Sequence, residues 1–332
     1  MNEKERLLNT LNGDPVDRVP VICPGGMMSA CVTEILEDMD TTANLSSDSM
    51  VEAAIKIHDK TGFENFGVPF AMIAEAEPLG IKIDNGNKKI EERVIEYNND
   101  PLEKIMLKYK VVPKNELRMG IVIDAIAKLK NDCVPVIGNI TGIISTATSV
   151  IDPLIVFKML IKDPERIYSF LKYINQYLIE YAKEMIKAGT DVITIADPTA
   201  TGEIIGPKNF EKFAAPFYKE IISTIHSFNV PVIVHICGNT NTIIDSLNSI
   251  GADALSFDSI VNMRNAKSKL NTNVMGNVNT QLLHLGQQEK IRLITRNCIK
   301  SGVDIVSPAC GLSMATPIKN LKTMTQYVKR GI

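Results

Sequence analysis

Eight short runs rich in Val and Ile, most closed by Gly, Pro, Asn or Asp, recur along the chain and limit what it can fold into. They are RVPVICPG (18–25), FENFGVPF (63–70), VPVIGNITG (134–142), DVITIADPTA (191–200), VPVIVHICG (230–238), ADALSFDS (252–259), NVMGNVN (273–279) and DIVSPACG (304–311). Such near-continuous apolar content is what parallel strands covered on both faces require. Between the later runs lie ERIYSFLKYINQYLIEYAKEMIKAG (165–189) and PKNFEKFAAPFYKEIISTIHSF (207–228), with apolar residues at three- and four-residue spacing. These predict crossover helices. The alternation predicts an α/β fold, a (β/α)8 TIM barrel with an N-terminal helical segment. From Ile81 to Lys110, short runs broken by Asn/Gly turns predict a hairpin excursion between the second and third barrel strands. With 45% hydrophobic residues one large core suffices, and residues 1–332 read as a single domain.

Chemistry concentrates at the ends of two runs. His235 and Cys237 are two apart, so on a strand both point to one side while Val234 and Ile236 point to the other. Cys310 closes the last run, and parallel strands of one barrel end on one rim, where barrel enzymes keep their active sites. Three ligands of this kind suit a zinc ion with one position left open. A structural zinc needs a fourth protein ligand, and no second close-spaced Cys or His pair supplies it.

Other polar residues close the runs and are expected around the same mouth: Asn139, Asp197, Glu203, Asp258, Asn277 and Asn279. Asp197, before Pro198 and beside Thr199 and Thr201, is the catalytic candidate among them. Asn139, Glu203, Asp258 and Asn277 are candidates for contacting a cofactor, and Asp258 or Glu203 could serve as a labile fourth metal ligand. Each also suits an Asx turn or a helix cap. Cys23, ending the first run, can face the site, whereas Cys31, Cys133 and Cys298 read as core packing. His58, His226 and His284 read as surface or satisfied core histidines.

A net charge of −2 and the absence of a long basic run exclude nucleic acid as a partner. MNEKERLLNTLNGD is charged where a signal peptide is apolar, and no apolar run reaches transmembrane length, so a cytosolic protein with reduced thiols is expected.

The chain resembles the uroporphyrinogen decarboxylase superfamily over nearly its full length, in LLNTLNGDPVDRVPV, GNITGIISTATS, IADPTATGEIIGPKNFEKFAAPFYKEI, MGNVNTQLL and CGLSMATPIKNLKTM. Within it, the H-x-C with a distant Cys resembles the zinc signature of the methylcobamide:coenzyme M methyltransferases of methanogens and their bacterial relatives. His235, Cys237 and Cys310 match that motif residue by residue. The resemblance implies a zinc-dependent transfer of a methyl group from a methylated corrinoid, carried by a corrinoid protein, to a thiol such as coenzyme M. Tetrahydrofolate is the alternative acceptor; Lys208 and Arg264 are the loop cations considered for a sulfonate. A metal-free porphyrinogen decarboxylase and a non-catalytic corrinoid-protein-binding protein are the other readings. The decarboxylases resemble one another in an Arg-rich segment after the first strand, where this chain has CPGGMMSACV and no cation. The stretch Gly25-Gly26-Met27-Met28 instead offers an apolar surface suited to a large ring or a methyl group.

Overall fold

A computed structural model describes residues 1–25 and 31–330. Gly26, Met27 and Met28 of the expected apolar surface lie outside the described residues. The strands are β1 (Phe66–Val68), β2 (Lys82–Asp84), β3 (Arg93–Glu96), β4 (Val136–Thr141), β5 (Val192–Ala196), β6 (Val232–Ile236), β7 (Ala254–Phe257), β8 (Asn273–Val278) and β9 (Ile305–Pro308). Seven form one sheet in the order β1-β4-β5-β6-β7-β8-β9, with every pair parallel. The antiparallel pair β2–β3 is the expected excursion between β1 and β4.

The first run, 18–25, forms only an isolated bridge, Val21 to Val306, rather than a full strand. Pro20 and Pro24 have no N–H to give a ladder. The segment nevertheless joins the two edges of the sheet. On one side Ile22 N donates to Val306 O (3.0 Å) and Val306 N to Pro20 O (2.9 Å). On the other, Glu64 N donates to Val21 O (2.9 Å), and the Asn65 side chain takes over from the backbone, accepting from Cys23 N (2.9 Å) and donating to Cys23 O (3.0 Å). The ring closes through a side-chain amide. Cys23 itself is buried, and burial pushes its thiol pKa up.

Which side of each strand faces the lumen follows from Gly138. A Cβ there would meet Met185 Sδ at 3.0 Å and Ile126 Cδ1 at 3.4 Å, both on outer helices, so Ile137, Asn139 and Thr141 face inward. The long crossover helix Pro164–Ala188 ends on Gly189 in the left-handed region, at φ 112°. The segment 207–228 is two helices rather than one, Pro207–Phe213 and Ala215–His226. Pro216, in the first turn of the second, has no N–H for the carbonyl a turn earlier. At the N-terminus, helix Glu3–Asn12 starts with a capping box between Asn2 and Glu5. Among the described residues no single helix is long and apolar enough to cross a membrane.

The closing segment is anchored by an ion cluster. Glu64 is fully buried; it accepts from Arg6 Nη1 (2.9 Å), from both terminal nitrogens of Arg18 and from Val21 N (3.0 Å). Arg6 also forms a two-pronged contact with Asp17 (2.7 and 2.8 Å), and that hydrogen bond holds the Asp17 carboxyl well below its usual range. Removing Glu64 takes one of two carboxylates from a guanidinium that is 5% exposed, and leaves Arg18 without its carboxylate and Val21 N without its acceptor. Glu64→Ala is therefore expected to cost about 3–5 kcal/mol, read as a lowered midpoint in chemical denaturation. A midpoint shift under ~1 kcal/mol would refute the anchoring role.

Candidate metal centre

His235 is the fourth residue of β6 and Cys237 follows the strand directly; Cys310 lies two residues past β9. β6 and β9 are separated by β7 and β8 around the ring. Their side chains nevertheless meet at the mouth: His235 Nε2 is 3.2 Å from Cys237 Sγ, and Cys237 Sγ is 2.9 Å from Cys310 Sγ. All three ligand atoms lie within 4.8 Å of one another. A tetrahedral ion with bonds of ~2.3 Å to sulfur needs ligand atoms about 3.7 Å apart. The 2.9 and 3.2 Å spacings are shorter than that, so the side chains must open by about 1 Å or less to admit a zinc ion, for which two thiols and one imidazole are a suitable donor set.

The electrostatics prepare the pair to lose a proton. Cys310 sits well below the usual thiol range, first because Cys237 hydrogen-bonds to it and further because His235 faces it, against the effect of burial. Cys237 is raised as the partner of that same bond, then by burial and the carboxylates of Asp258 and Asp197. One thiolate forms readily, and the second requires a cation.

Neighbouring residues fix the ligands. Ser256 is the register partner of His235 on β7, and its Oγ lies 3.0 Å from His235 Nδ1. A donor Nδ1–H engaged by Ser256 leaves the Nε2 lone pair facing the sulfurs. The turn after Cys237 uses Gly238 at φ +69°. Asp258 Oδ2 accepts from Gly238 N (3.2 Å) and Glu203 Oε2 from Asn239 N (3.0 Å). Both acids thus brace the turn that carries Cys237, and neither belongs to the group of ligand atoms.

Asp197 is fully buried. Its carboxylate accepts from Ile144 N (3.0 Å), Ser145 N (2.9 Å), Ser145 Oγ (2.6 Å) and Tyr218 OH (2.7 Å). It therefore caps the start of helix Ile143–Val150. Its own N–H donates to His235 O (2.9 Å), which ties β5 to the ligand-bearing strand. Burial raises its pKa against those bonds. A Cβ on Gly142 would overlap this carboxylate, so glycine is required there.

Asn139 faces the lumen; among the described residues neither amide atom has a hydrogen-bond partner, and the register neighbour's Thr194 Oγ1 has none either. Asn277 turns instead to the loop after β7, donating to Asp258 O and Val261 O (both 2.9 Å) and accepting from Cys298 Sγ (3.6 Å). Asn279 caps helix Thr280–Leu285. Lys208 and Arg264 are exposed. His58 pairs with Glu3 and Asp59, His226 with Asp253, and His284 with Ala315 O.

Ser256, Tyr218, Ser145 and Glu75 were not singled out by the sequence. Glu75 is a buried acid past the end of β1, and it accepts from Thr141 N (2.8 Å) where that short strand has no backbone to offer. A charge inside the apolar stretch FAMIAEAEPLG, and a Ser inside ALSF, were the available signals.

The chain matches the uroporphyrinogen decarboxylase (URO-D) family over residues 2–331. It is 32% identical to the methylcobamide:CoM methyltransferase MtbA of Methanosarcina acetivorans over 98% of this chain and 97% of that one. It is 26% identical to a uroporphyrinogen decarboxylase of Geotalea uraniireducens, over 98% of each chain. A solved methyltransferase from Methanosarcina mazei superposes with a TM-score of 0.90 at 26% identity over 99% of both chains.

Ser256→Ala is expected to weaken zinc binding about 10–100-fold in a competition titration against a chromogenic chelator. The circular dichroism spectrum should not change, because the substitution removes one hydroxyl. Unaltered zinc affinity would remove Ser256 from the metal's support.

Proposed function

The chain belongs to the uroporphyrinogen decarboxylase family, and from that membership we propose that it is a zinc-dependent enzyme moving a methyl group from a methylated corrinoid to a thiol acceptor. The observation that carries this reading is the convergence of His235, Cys237 and Cys310 at the barrel mouth. The decarboxylase alternative lacks support at the segment after the first run, where CPGGMMSACV offers no cation to a polycarboxylate.

His235, Cys237 and Cys310 would hold the ion, with two thiolates cancelling its formal charge and one tetrahedral position left over. Bound there, zinc lowers the pKa of an acceptor thiol so that its sulfur is a nucleophile at neutral pH. In the overall transfer the acceptor sulfur forms the new S–C bond and loses its proton. The Co–C bond breaks with its electron pair remaining on cobalt, which leaves cob(I)amide.

The protein's own work is positional. Ser256 orients the His235 ring, Asp258 and Glu203 hold the Cys237 turn, and Asp197 fixes the His235 carbonyl. Asp197 acts through these neighbours rather than on the methyl group. Asn139 offers the lumen an amide with no partner among the described residues, and Asn277 shapes the loop carrying Asp258. The methyl donor is a corrinoid protein docking at the mouth, the acceptor is coenzyme M ahead of tetrahydrofolate, and the enzyme works in the cytosol as a single domain spanning 1–332.

Purified protein should carry about one zinc per chain, and Cys237→Ala or Cys310→Ala should lose most of it. Elemental analysis finding no zinc in folded protein, or full zinc in both variants, contradicts the reading. A chelator should abolish transfer while a cooperative thermal transition persists, since a core of this size does not depend on one ion. Outright unfolding of the apo-protein would make the metal structural.

The acceptor is tested with methylcobalamin and coenzyme M under anaerobic conditions, following cob(I)alamin by absorbance. Thiol binding should release about one proton near neutral pH, because the free thiol pKa lies above the solution pH and the metal-bound one below it. X-ray absorption at the zinc edge should gain one sulfur at ~2.3 Å. If tetrahydrofolate accepts the methyl and no thiol adds a sulfur, the acceptor is a nitrogen nucleophile.

A further inference from the structure

The chain has six cysteines, and the fold brings two of them together. Cys23, Cys31 and Cys298 are buried, and Cys133 is exposed ahead of β4. Cys237 and Cys310 are 73 residues apart in sequence, yet both are half-buried at the mouth with their sulfurs 2.9 Å from one another.

Such a pair has two closed states. A tetrahedral zinc ion holds two sulfurs about 3.7 Å apart, and a disulfide holds them at about 2.05 Å. The observed separation lies between, about 0.8 Å from either value. Both side chains sit just past a strand end and before a glycine: Cys237 between β6 and Gly238, at φ +69°, and Cys310 beyond β9 and before Gly311. The backbone on each side is held, since Ala309 N donates to Val278 O (2.9 Å) and the Cys237 turn rests on Asp258 and Glu203. A small shift of the sulfurs therefore reaches either state with the strands in place. The two states exclude one another, because zinc takes thiolates and a disulfide has none to give.

We propose that Cys237 and Cys310 form a reversible disulfide that takes the place of the metal, which makes the centre a peroxide-sensitive switch. The metal half of this inference rests on the reading of His235, Cys237 and Cys310 as a zinc site. In the step, one sulfur attacks a peroxide oxygen and breaks the O–O bond, giving S–OH and one water. The other sulfur then attacks the first and displaces its oxygen as a second water, forming the S–S bond. The two sulfurs lose two electrons, the peroxide gains them, and both thiol protons end in water. The S–S bond bridges β6 to β9, as an ion would, so the barrel stays closed and a reducing thiol restores the site.

The test treats the full chain, stripped of metal, with one equivalent of hydrogen peroxide, then reads intact mass, a peptide map and zinc uptake. The mass should fall by two hydrogens, and the peptides carrying Cys237 and Cys310 should run as one cross-linked species. The oxidised chain should take up less than about a tenth of the zinc bound by the reduced one, and dithiothreitol should restore uptake. With free zinc at about 100 times its dissociation constant, cross-linking should slow about 100-fold, since only the unmetallated pair reacts. Cys237→Ser should gain oxygen where the wild type loses hydrogen. Cys133→Ser should cross-link as the wild type does, because that thiol is exposed and outside the ligand group. Oxidised sulfurs without a cross-link, a cross-link to any other cysteine, zinc uptake unchanged by the cross-link, or a rate indifferent to zinc overturns the proposal. A chain that forms the Cys237–Cys310 bond but takes up no zinc even when reduced counts against the zinc enzyme and leaves the disulfide standing.

Discussion

A parallel ring must close, and here it closes through a segment unable to form a strand. Pro20 and Pro24 remove donors from the run between β9 and β1, and β1 itself spans only Phe66–Val68. Three side chains carry the load that backbone carries elsewhere. Asn65 pairs with both backbone groups of Cys23, Glu64 accepts from Val21 N while pairing with two arginines, and Glu75 receives Thr141 N past the end of β1. An unmade buried hydrogen bond costs about 1–3 kcal/mol, so these substitutions are requirements of the architecture.

The candidate metal centre inherits its geometry from strand register. His235 and Ser256 are opposite one another because β6 and β7 pair at that residue, and Asp197 N reaches His235 O because β5 ends one step below. A slip of one residue would turn His235 outward and remove all of these contacts together. The loops contribute less to placing the ligands than to holding the Cys237 turn, which rests on Asp258 and Glu203.

Much of this was legible in the sequence. The strand runs were visible because parallel strands buried on both faces need unbroken apolar stretches, and the same-side spacing of His235 and Cys237 follows from the pleat. The prolines that demote the first run and split 207–228 were also in plain view, yet apolar periodicity outweighed them. The partners of Asp197 could not be read: its carboxylate is consumed by Ser145, Ile144 and Tyr218, which lie 21 to 53 residues away and meet it only in the folded barrel. Ser256 needed the β6–β7 register, which no local pattern fixes.

Cys310 hangs from β9, the strand that borders the closing segment, whereas His235 and Cys237 hang from β6, three positions around the ring. An ion held by all three would bridge β6 to the strand beside the seam, so opening the seam and releasing the ion would be thermodynamically linked. Linkage is reciprocal. Glu64, Asn65 and their arginine partners touch none of the three candidate ligands, yet by keeping the ring closed they would hold those ligands together, and their loss would weaken ion binding by the fraction of open ring it creates.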